Sequence, residues 1–209
     1  HEVVGVVEEV GSEVKDIQAG DRVVIPFSGS YAQFRHVVHH ELVHAFQFGI
    51  LYDRLGGSLL KNAGLQMPLW FAEGLAEYLS SGWDAEADMF LMDMVVYGDV
   101  PLPGPELSGY MAYKGGQSFF HYLASTRGDS LFRTMLHEFK RTRTVDGPFE
   151  KAFGKPIEDL GAEWHRQLKR IYWPEIAVRQ ETEELGTCLS KELSPKARMN
   201  LRPAVSPDG

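Results

Sequence analysis

The sequence predicts an α+β fold that is mostly α, in which a small N-terminal β-sheet precedes a helical body. Two runs rich in β-branched residues, 3–10 and 22–27, are each bounded by glycine-containing turns, as strands often are. From about Arg35 onward, the apolar residues recur at helical spacing. This change of period predicts a β-hairpin followed by helices.

Start and stop signals predict where the helices lie. The first should run over 35–48 and end at Gly49, and the second should open at Pro68 and close near Gly82. Further helices are expected at 85–97, 109–126, 129–142 and 156–171. Apolar periodicity fades after residue 180, so the predicted domains are 1–27, 28–180 and 181–209.

Composition limits the kinds of partner. The 209 residues include 44% hydrophobic and 24% charged residues, and the net charge of −8 argues against binding to nucleic acid. No run of about 18 apolar residues exists, so no membrane span is expected. Cys188 is the single cysteine, which excludes an internal disulfide and a cysteine-rich zinc site.

The strongest chemical signal is the run His40-Glu41-Leu-Val-His44. Two histidines four residues apart lie on one face of a helix, so both imidazoles can reach one ion. Glu41, about 100° round the helix from His40, can face a water molecule at the ion without binding the metal. The pattern therefore predicts Zn²⁺ as the cofactor, two of its three protein ligands, and Glu41 as general base.

The other histidines have simpler interpretations. His36 also lies four residues from His40, but this rival pair lacks a glutamate at the second position and a matching third ligand. It is therefore set aside. His39 is expected in solvent or beside a ligand, and the remaining ones are expected at the surface or in the core: His121, His137 and His165.

The third ligand should come from a second helix. The segment PLWFAEGLAEY, 68–78, places Glu73 and Glu77 four residues apart at the border of an apolar core. Burying an unpaired carboxylate is costly, so both acids need partners. A salt bridge would explain one of them, whereas a metal explains the pair better.

The motifs HHELVH and PLWFAEGLAEY together resemble the gluzincins, thermolysin-like zinc peptidases, and in particular bacterial peptidase-MA-like domains, over about residues 22–180. The resemblance implies that Glu73 is the third zinc ligand and that Glu77 orients a histidine. It also implies hydrolysis of peptide bonds in a peptide or protein substrate, and an exported or periplasmic location.

A tyrosine is implied by the same resemblance. Tyr113-Lys114-Gly115 is similar to the Tyr-x-Lys-Gly segment of gluzincin aminopeptidases, whose tyrosine hydrogen-bonds the oxyanion. One residue is missing between tyrosine and lysine here, so Tyr110 stays an alternative to Tyr113. The resulting hypothesis is a zinc peptidase, and its alternative is a catalytically silent gluzincin-fold interaction module.

The two ends of the chain resemble other families. Residues 1–25 resemble zinc-dependent alcohol dehydrogenases, with His1 at the place of a zinc-binding histidine. The companion cysteines and a Gly-x-Gly-x-x-Gly loop are absent, so a dehydrogenase fragment is set aside and only a β-hairpin is implied. The last residues, 202–209, resemble the start of a TolB-type repeat, which implies that the natural protein continues into a β-propeller.

Overall fold

The computed structural model describes residues 3–12, 14–25, 30–51, 67–97, 100–180 and 185. Within them lie two strands and seven helices, which confirms the α+β, mostly α class. The strands are β1 (Val3–Val6) and β2 (Arg22–Ile25). The helices are α1 (Tyr31–Leu51), α2 (Leu69–Ser81), α3 (Ala85–Tyr97), α4 (Tyr110–Arg127), α5 (Leu131–Thr142), α6 (Asp146–Phe153) and α7 (Ile157–Ile176).

The two strands form the predicted hairpin. They pair antiparallel, with Val3 opposite Ile25 and Val6 opposite Arg22. One further pair of backbone hydrogen bonds follows, from the amide of Val7 to Asp21 and from that of Gly20 to Val7. Residues 8–10 were expected to continue β1, but they are exposed and lie outside the ladder. Strand β1 therefore ends earlier than the apolar pattern predicts.

Helix α1 is longer at both ends than predicted. The amide of Gln33 donates to the hydroxyl oxygen of Ser30 at 3.2 Å, and that hydroxyl contacts the side-chain oxygen of Gln33 at 3.1 Å. This local cap explains why the helix begins at Tyr31. The helix then continues through Gly49 to Leu51, which is buried. Packing of Leu51 thus outweighs the weak helix propensity of glycine.

Helices α2 and α4 cross at two glycines, and they lie so close there that no larger residue would fit. A Cβ atom on Gly74 would lie 2.4 Å from the Cα atom of Gly116, and one on Gly116 would lie 2.5 Å from the carbonyl oxygen of Trp70. Glycine at both positions is therefore a steric requirement of this contact. The contact brings Tyr113 and Lys114 of α4 beside the acidic residues of α2.

An aromatic core lies behind α2. Trp70 of α2 contacts Phe119 and Phe120 of α4, and Phe71 contacts Phe120, with ring centroids 5.5–6.1 Å apart. Both residues of α2 also contact Phe149 of α6. Such offset and edge-to-face pairs are favourable beyond their buried area. Helix α6 was not predicted, because its eight residues include a glycine and a proline. Burial of its phenylalanines in this core stabilises it instead.

The chain divides into a main unit, His1–Tyr172, and a second unit, Trp173–Gly209. In the second unit, the described part comprises the last residues of α7, the segment to residue 180, and residue 185. The predicted boundaries after residues 27 and 180 stay predictions. The predicted propeller start at 202–209 lies outside the described residues. No helix within the described ranges is long and apolar enough to span a membrane.

Candidate metal centre

Three side chains from two helices converge on one point. The Nε2 atoms of His40 and His44 lie 3.0 Å apart, and the Oε2 atom of Glu73 lies 3.0 Å from the first and 3.1 Å from the second. Ligands at about 2.0–2.2 Å from a tetrahedral zinc ion are about 3.3–3.6 Å from one another. The three atoms therefore already have nearly the spacing of one face of a zinc site.

Gln47 orients His44 within this group. Its Oε1 atom lies 3.1 Å from Nδ1 of His44, and its amide nitrogen donates to the carbonyl oxygen of Ala72 at 3.1 Å. With Nδ1 protonated and donating to Gln47, the lone pair of His44 is at Nε2, where it can bind a metal. Gln47 was not predicted as a site residue. Its spacing, three residues after His44 on the same face, is the signal that could have found it.

Glu77 plays the corresponding part for His40. Its Oε1 atom lies 2.9 Å from Nδ1 of His40, as a close ion pair rather than a well-directed hydrogen bond. The carboxylate thus lies behind the imidazole, on the side opposite Glu73. Carboxylates in this position commonly orient metal-binding histidines.

His36 belongs to a second group of possible ligands. Its Nε2 atom lies 3.2 Å from Oε1 of Glu77, and its Nδ1 atom is hydrogen-bonded with the hydroxyl of Ser81. His36, His40 and Glu77 together could also hold a metal ion. The expectation that the His36–His40 pair lacks a third ligand is therefore wrong. The reason is that Glu77 comes from α2, a contact that spacing along α1 does not reveal.

The two glutamates set the electrostatics of the site. Burial lowers the pKa of His40, but the hydrogen bond with Glu73 and the close carboxylate of Glu77 outweigh burial and raise that pKa to about 9. Burial also lowers the pKa of His44, and the bond to Glu73 again outweighs it, so the net direction is upward. Burial raises the pKa of Glu73, yet the two histidines bring it down to about 2. The cluster therefore favours positive charge at its centre.

Tyr113 and Glu41 lie beside this centre. The ring of Tyr113 stacks on that of His40, with centroids 6.2 Å apart. Burial and then the charges of Glu73, Glu77 and Glu41 raise the pKa of Tyr113, so its hydroxyl stays protonated and able to donate. Glu41 itself is exposed.

The alternative tyrosine is engaged elsewhere. The hydroxyl of Tyr110 donates to Oε1 of Glu86 at 2.5 Å, and its ring packs edge-on against Phe90. Both partners belong to α3. Of the two tyrosines, Tyr113 is thus the one that the structure brings to the histidines. Its role in stabilising an oxyanion stays a prediction.

The remaining histidines lie apart from the two groups of possible metal ligands in the described residues. His121 stacks on Trp83 with ring centroids 5.0 Å apart, and His165 lies 3.3 Å from the carbonyl oxygen of Pro101. His39 and His137 are exposed. His1, the residue that resembles a dehydrogenase zinc ligand, lies outside the described part.

A family model described as the alcohol dehydrogenase GroES-like domain matches residues 1–73. The match covers 73 of the 209 residues and includes the candidate ligands His40, His44 and Glu73. No curated protein and no solved structure matches the chain significantly.

This match overturns the family inferred from the motifs. The peptidase resemblance depends on His40 to His44 and on Glu73, and these residues fall within a span that matches a different family. The predicted membership of the gluzincins is therefore wrong, and so are the predictions that depend on it: peptide hydrolysis and the silent gluzincin module. The predicted propeller start is not supported either. The physical reason is that a His-Glu-x-x-His helix specifies where ligands and a carboxylate stand, without specifying which substrate reacts there.

The family that matches is the one that residues 1–25 resemble. The sequence analysis limits this resemblance to a hairpin, whereas the match continues to residue 73. The predicted cofactor, Zn²⁺, is confirmed. Domains of this family in zinc alcohol dehydrogenases bind Zn²⁺, and the described residues contain histidine and glutamate groups that could hold it.

Proposed function

We propose that this chain holds one zinc ion through His40, His44 and Glu73, and that the centre activates the hydroxyl group of a bound alcohol. The observation that carries the proposal is the triangle of Nε2, Nε2 and Oε2 atoms, whose sides are 3.0–3.1 Å. When bound, the ion supplies a Lewis acid that makes a hydroxyl group more acidic.

The choice between the two possible ligand groups rests on charge. Glu73 contacts the two histidines, and no lysine or arginine of the described residues is paired with it. Glu77 is already paired with the ammonium group of Lys114 at 2.9 Å. A second cation on that carboxylate would be repelled, more strongly because the site is buried. The group that contains Glu73 is therefore the better zinc site.

The chain's own residues supply the rest of the chemistry. Gln47 and Glu77 hold the imidazoles so that both Nε2 atoms face Glu73. Glu41 projects from the same helix as the two histidines and is exposed, so it can accept the proton that the hydroxyl group releases. Tyr113 can donate a hydrogen bond to the oxygen that remains.

The family match favours an alcohol as the ligand, because the matched domain belongs to alcohol dehydrogenases. It also favours a second candidate function, in which the alcohol is oxidised by transfer of a hydride to NAD⁺ or NADP⁺. The full sequence contains no Gly-x-Gly-x-x-Gly loop for such a nucleotide. Alcohol-dependent reduction of NAD⁺ or NADP⁺ by the zinc-loaded protein, lost in His44→Ala, would support this second candidate.

The main proposal is tested by metal analysis and then by ligand binding. The purified chain should retain one zinc ion, which His44→Ala and Glu73→Gln should each abolish, whereas His137→Ala at an exposed position should retain it. In the cobalt-substituted protein, trifluoroethanol, an acidic alcohol, should change the visible absorption spectrum. Absence of zinc, or zinc that His44→Ala does not remove, would refute the ligand assignment. A spectrum that the alcohol leaves unchanged would refute the ligand class.

A further inference from the structure

Lys114 is a buried lysine that binds neither the zinc ion nor the alcohol in the proposed function. Only 5% of its surface is exposed, and its Nζ atom lies 2.9 Å from Oε2 of Glu77 and 3.7 Å from Oδ2 of Asp84. A buried ammonium group is costly unless carboxylates pair with it. Two carboxylates at these distances meet that need.

The ammonium group determines which oxygen of Glu77 faces the histidines. Lys114 occupies Oε2. The other oxygen, Oε1, is the one that lies 2.9 Å from Nδ1 of His40 and 3.2 Å from Nε2 of His36. The carboxylate is thus held between the lysine on one side and the two imidazoles on the other.

The second partner of Lys114 is itself fixed. Asp84 accepts a hydrogen bond from the amide of Ala87 at 2.8 Å, at the start of α3, and another from the side chain of Gln117 at 3.1 Å. Gln117 is fully buried and also donates to the carbonyl oxygen of Gly82. Lys114 therefore lies beside a carboxylate that is itself held by hydrogen bonds.

We propose that Lys114 is a positioning residue that decides which of the two ligand groups holds the zinc ion. Its charge repels a cation from the group His36, His40 and Glu77. Its bond to Glu77 also keeps that carboxylate behind Nδ1 of His40, so that Nε2 of His40 is left for the group with His44 and Glu73. The inference rests on the zinc centre proposed above.

The test looks for a gain of metal binding after the intended site has been broken. His44→Ala disables the group with Glu73, and this variant should bind zinc poorly. Adding Lys114→Met, which removes the charge but keeps an unbranched chain of similar length, should restore binding about 10–100-fold, the range typical of residues that act through a ligand. Adding His36→Ala to that double variant should remove the restored binding.

Two matched controls separate charge from packing. Lys114→Arg in the His44→Ala background keeps the positive charge and should restore nothing. Lys151→Met, at an exposed position on α6, removes a charge away from the site and should also restore nothing. Zinc affinity is measured by competition with a chromophoric chelator, and circular dichroism checks folding. Lys114→Gln replaces Lys114→Met if the latter does not fold.

The inference is overturned if the double variant with His44→Ala and Lys114→Met binds zinc no better than His44→Ala alone. It is also overturned if the restored zinc survives His36→Ala. Failure of the proposed function is distinguishable from both outcomes, because it shows in the unsubstituted protein as absence of zinc or as zinc that does not depend on His44.

Discussion

Helices α1 and α2 meet at the metal centre, but they are held in the molecule by opposite means. Seven of the 13 residues of α2 are buried, and they include Trp70, Phe71 and Leu75 of the aromatic core. In α1, only three of 21 residues are buried, and two of these, His40 and Gln47, are polar. The helix that provides two of the candidate zinc ligands is therefore the more weakly packed of the two.

A row of apolar side chains along α1 does not anchor it. Four of them recur every four residues along the helix, and all are exposed: Phe34, Val38, Leu42 and Phe46. Hydrogen bonds join α1 to α2, and they run from His36, His40, His44 and Gln47 to the glutamates and backbone of α2. The same residues that would bind zinc thus attach α1, so metal binding and docking of α1 should be coupled.

Two phenylalanines give the most direct test of this difference in packing. Phe71 of α2 is fully buried, whereas Phe46 of α1 is 71% exposed. Phe71→Ala should lower the free energy of unfolding by about 3–5 kcal/mol, because it leaves a cavity in the aromatic core. Phe46→Ala should change it by less than about 0.5 kcal/mol. Urea denaturation of both variants measures the difference, and equal losses would show that α1 is packed as firmly as α2.

Removal of the metal should loosen α1 selectively. At a free zinc concentration of about 100 times Kd, binding stabilises the bound state by about 2.7 kcal/mol. Chelation should therefore speed hydrogen exchange of α1 amides by up to about 100-fold, while amides of α2, held by the aromatic core, should change much less. Mass spectrometry of peptic fragments resolves the two helices. Equal acceleration in α2 would contradict the contrast.

Gln47 tests whether the polar attachment of α1 also serves the metal. Gln47→Ala removes the group that orients His44 and leaves the carbonyl oxygen of Ala72 without this partner. Zinc affinity should fall about 10–100-fold. Gln18→Ala, at an exposed position in the loop between β1 and β2, is the matched control and should leave zinc affinity unchanged. Unchanged affinity in Gln47→Ala would mean that Glu73 alone positions His44.

Two glycines test whether the backbones of α1 and α2 also differ in how closely they are packed. Gly74→Ala in α2 should destabilise by about 1–3 kcal/mol or more, because the added Cβ meets the backbone of Gly116 at 2.4 Å. Gly49→Ala in α1 has nothing within 4 Å and should stabilise by about 0.5–1 kcal/mol through helix propensity. Thermal unfolding measures both signs. Stabilisation by Gly74→Ala would show that α2 and α4 can separate at no cost.

Local signals in the sequence account for much of this fold. The period change near Arg35, the proline before α2 and the glycine after it identify elements that the structure contains. Where prediction failed, the competing effect is identifiable. Ser30 and Gln33 cap α1 four residues before the predicted start, and α6 forms from a weak helical sequence because its phenylalanines are buried.

His40 and His44 share a helix face, and Glu41 lies about 100° round the helix from His40. The sequence was enough to predict this placement, because it depends only on the helical repeat. The tertiary structure was needed to show that Glu77 lies within reach of both His36 and His40, and that Lys114 pairs with the other oxygen of this carboxylate. These contacts join residues that are far apart in the sequence. They depend on how closely α1, α2 and α4 pack, which spacing along one helix does not encode.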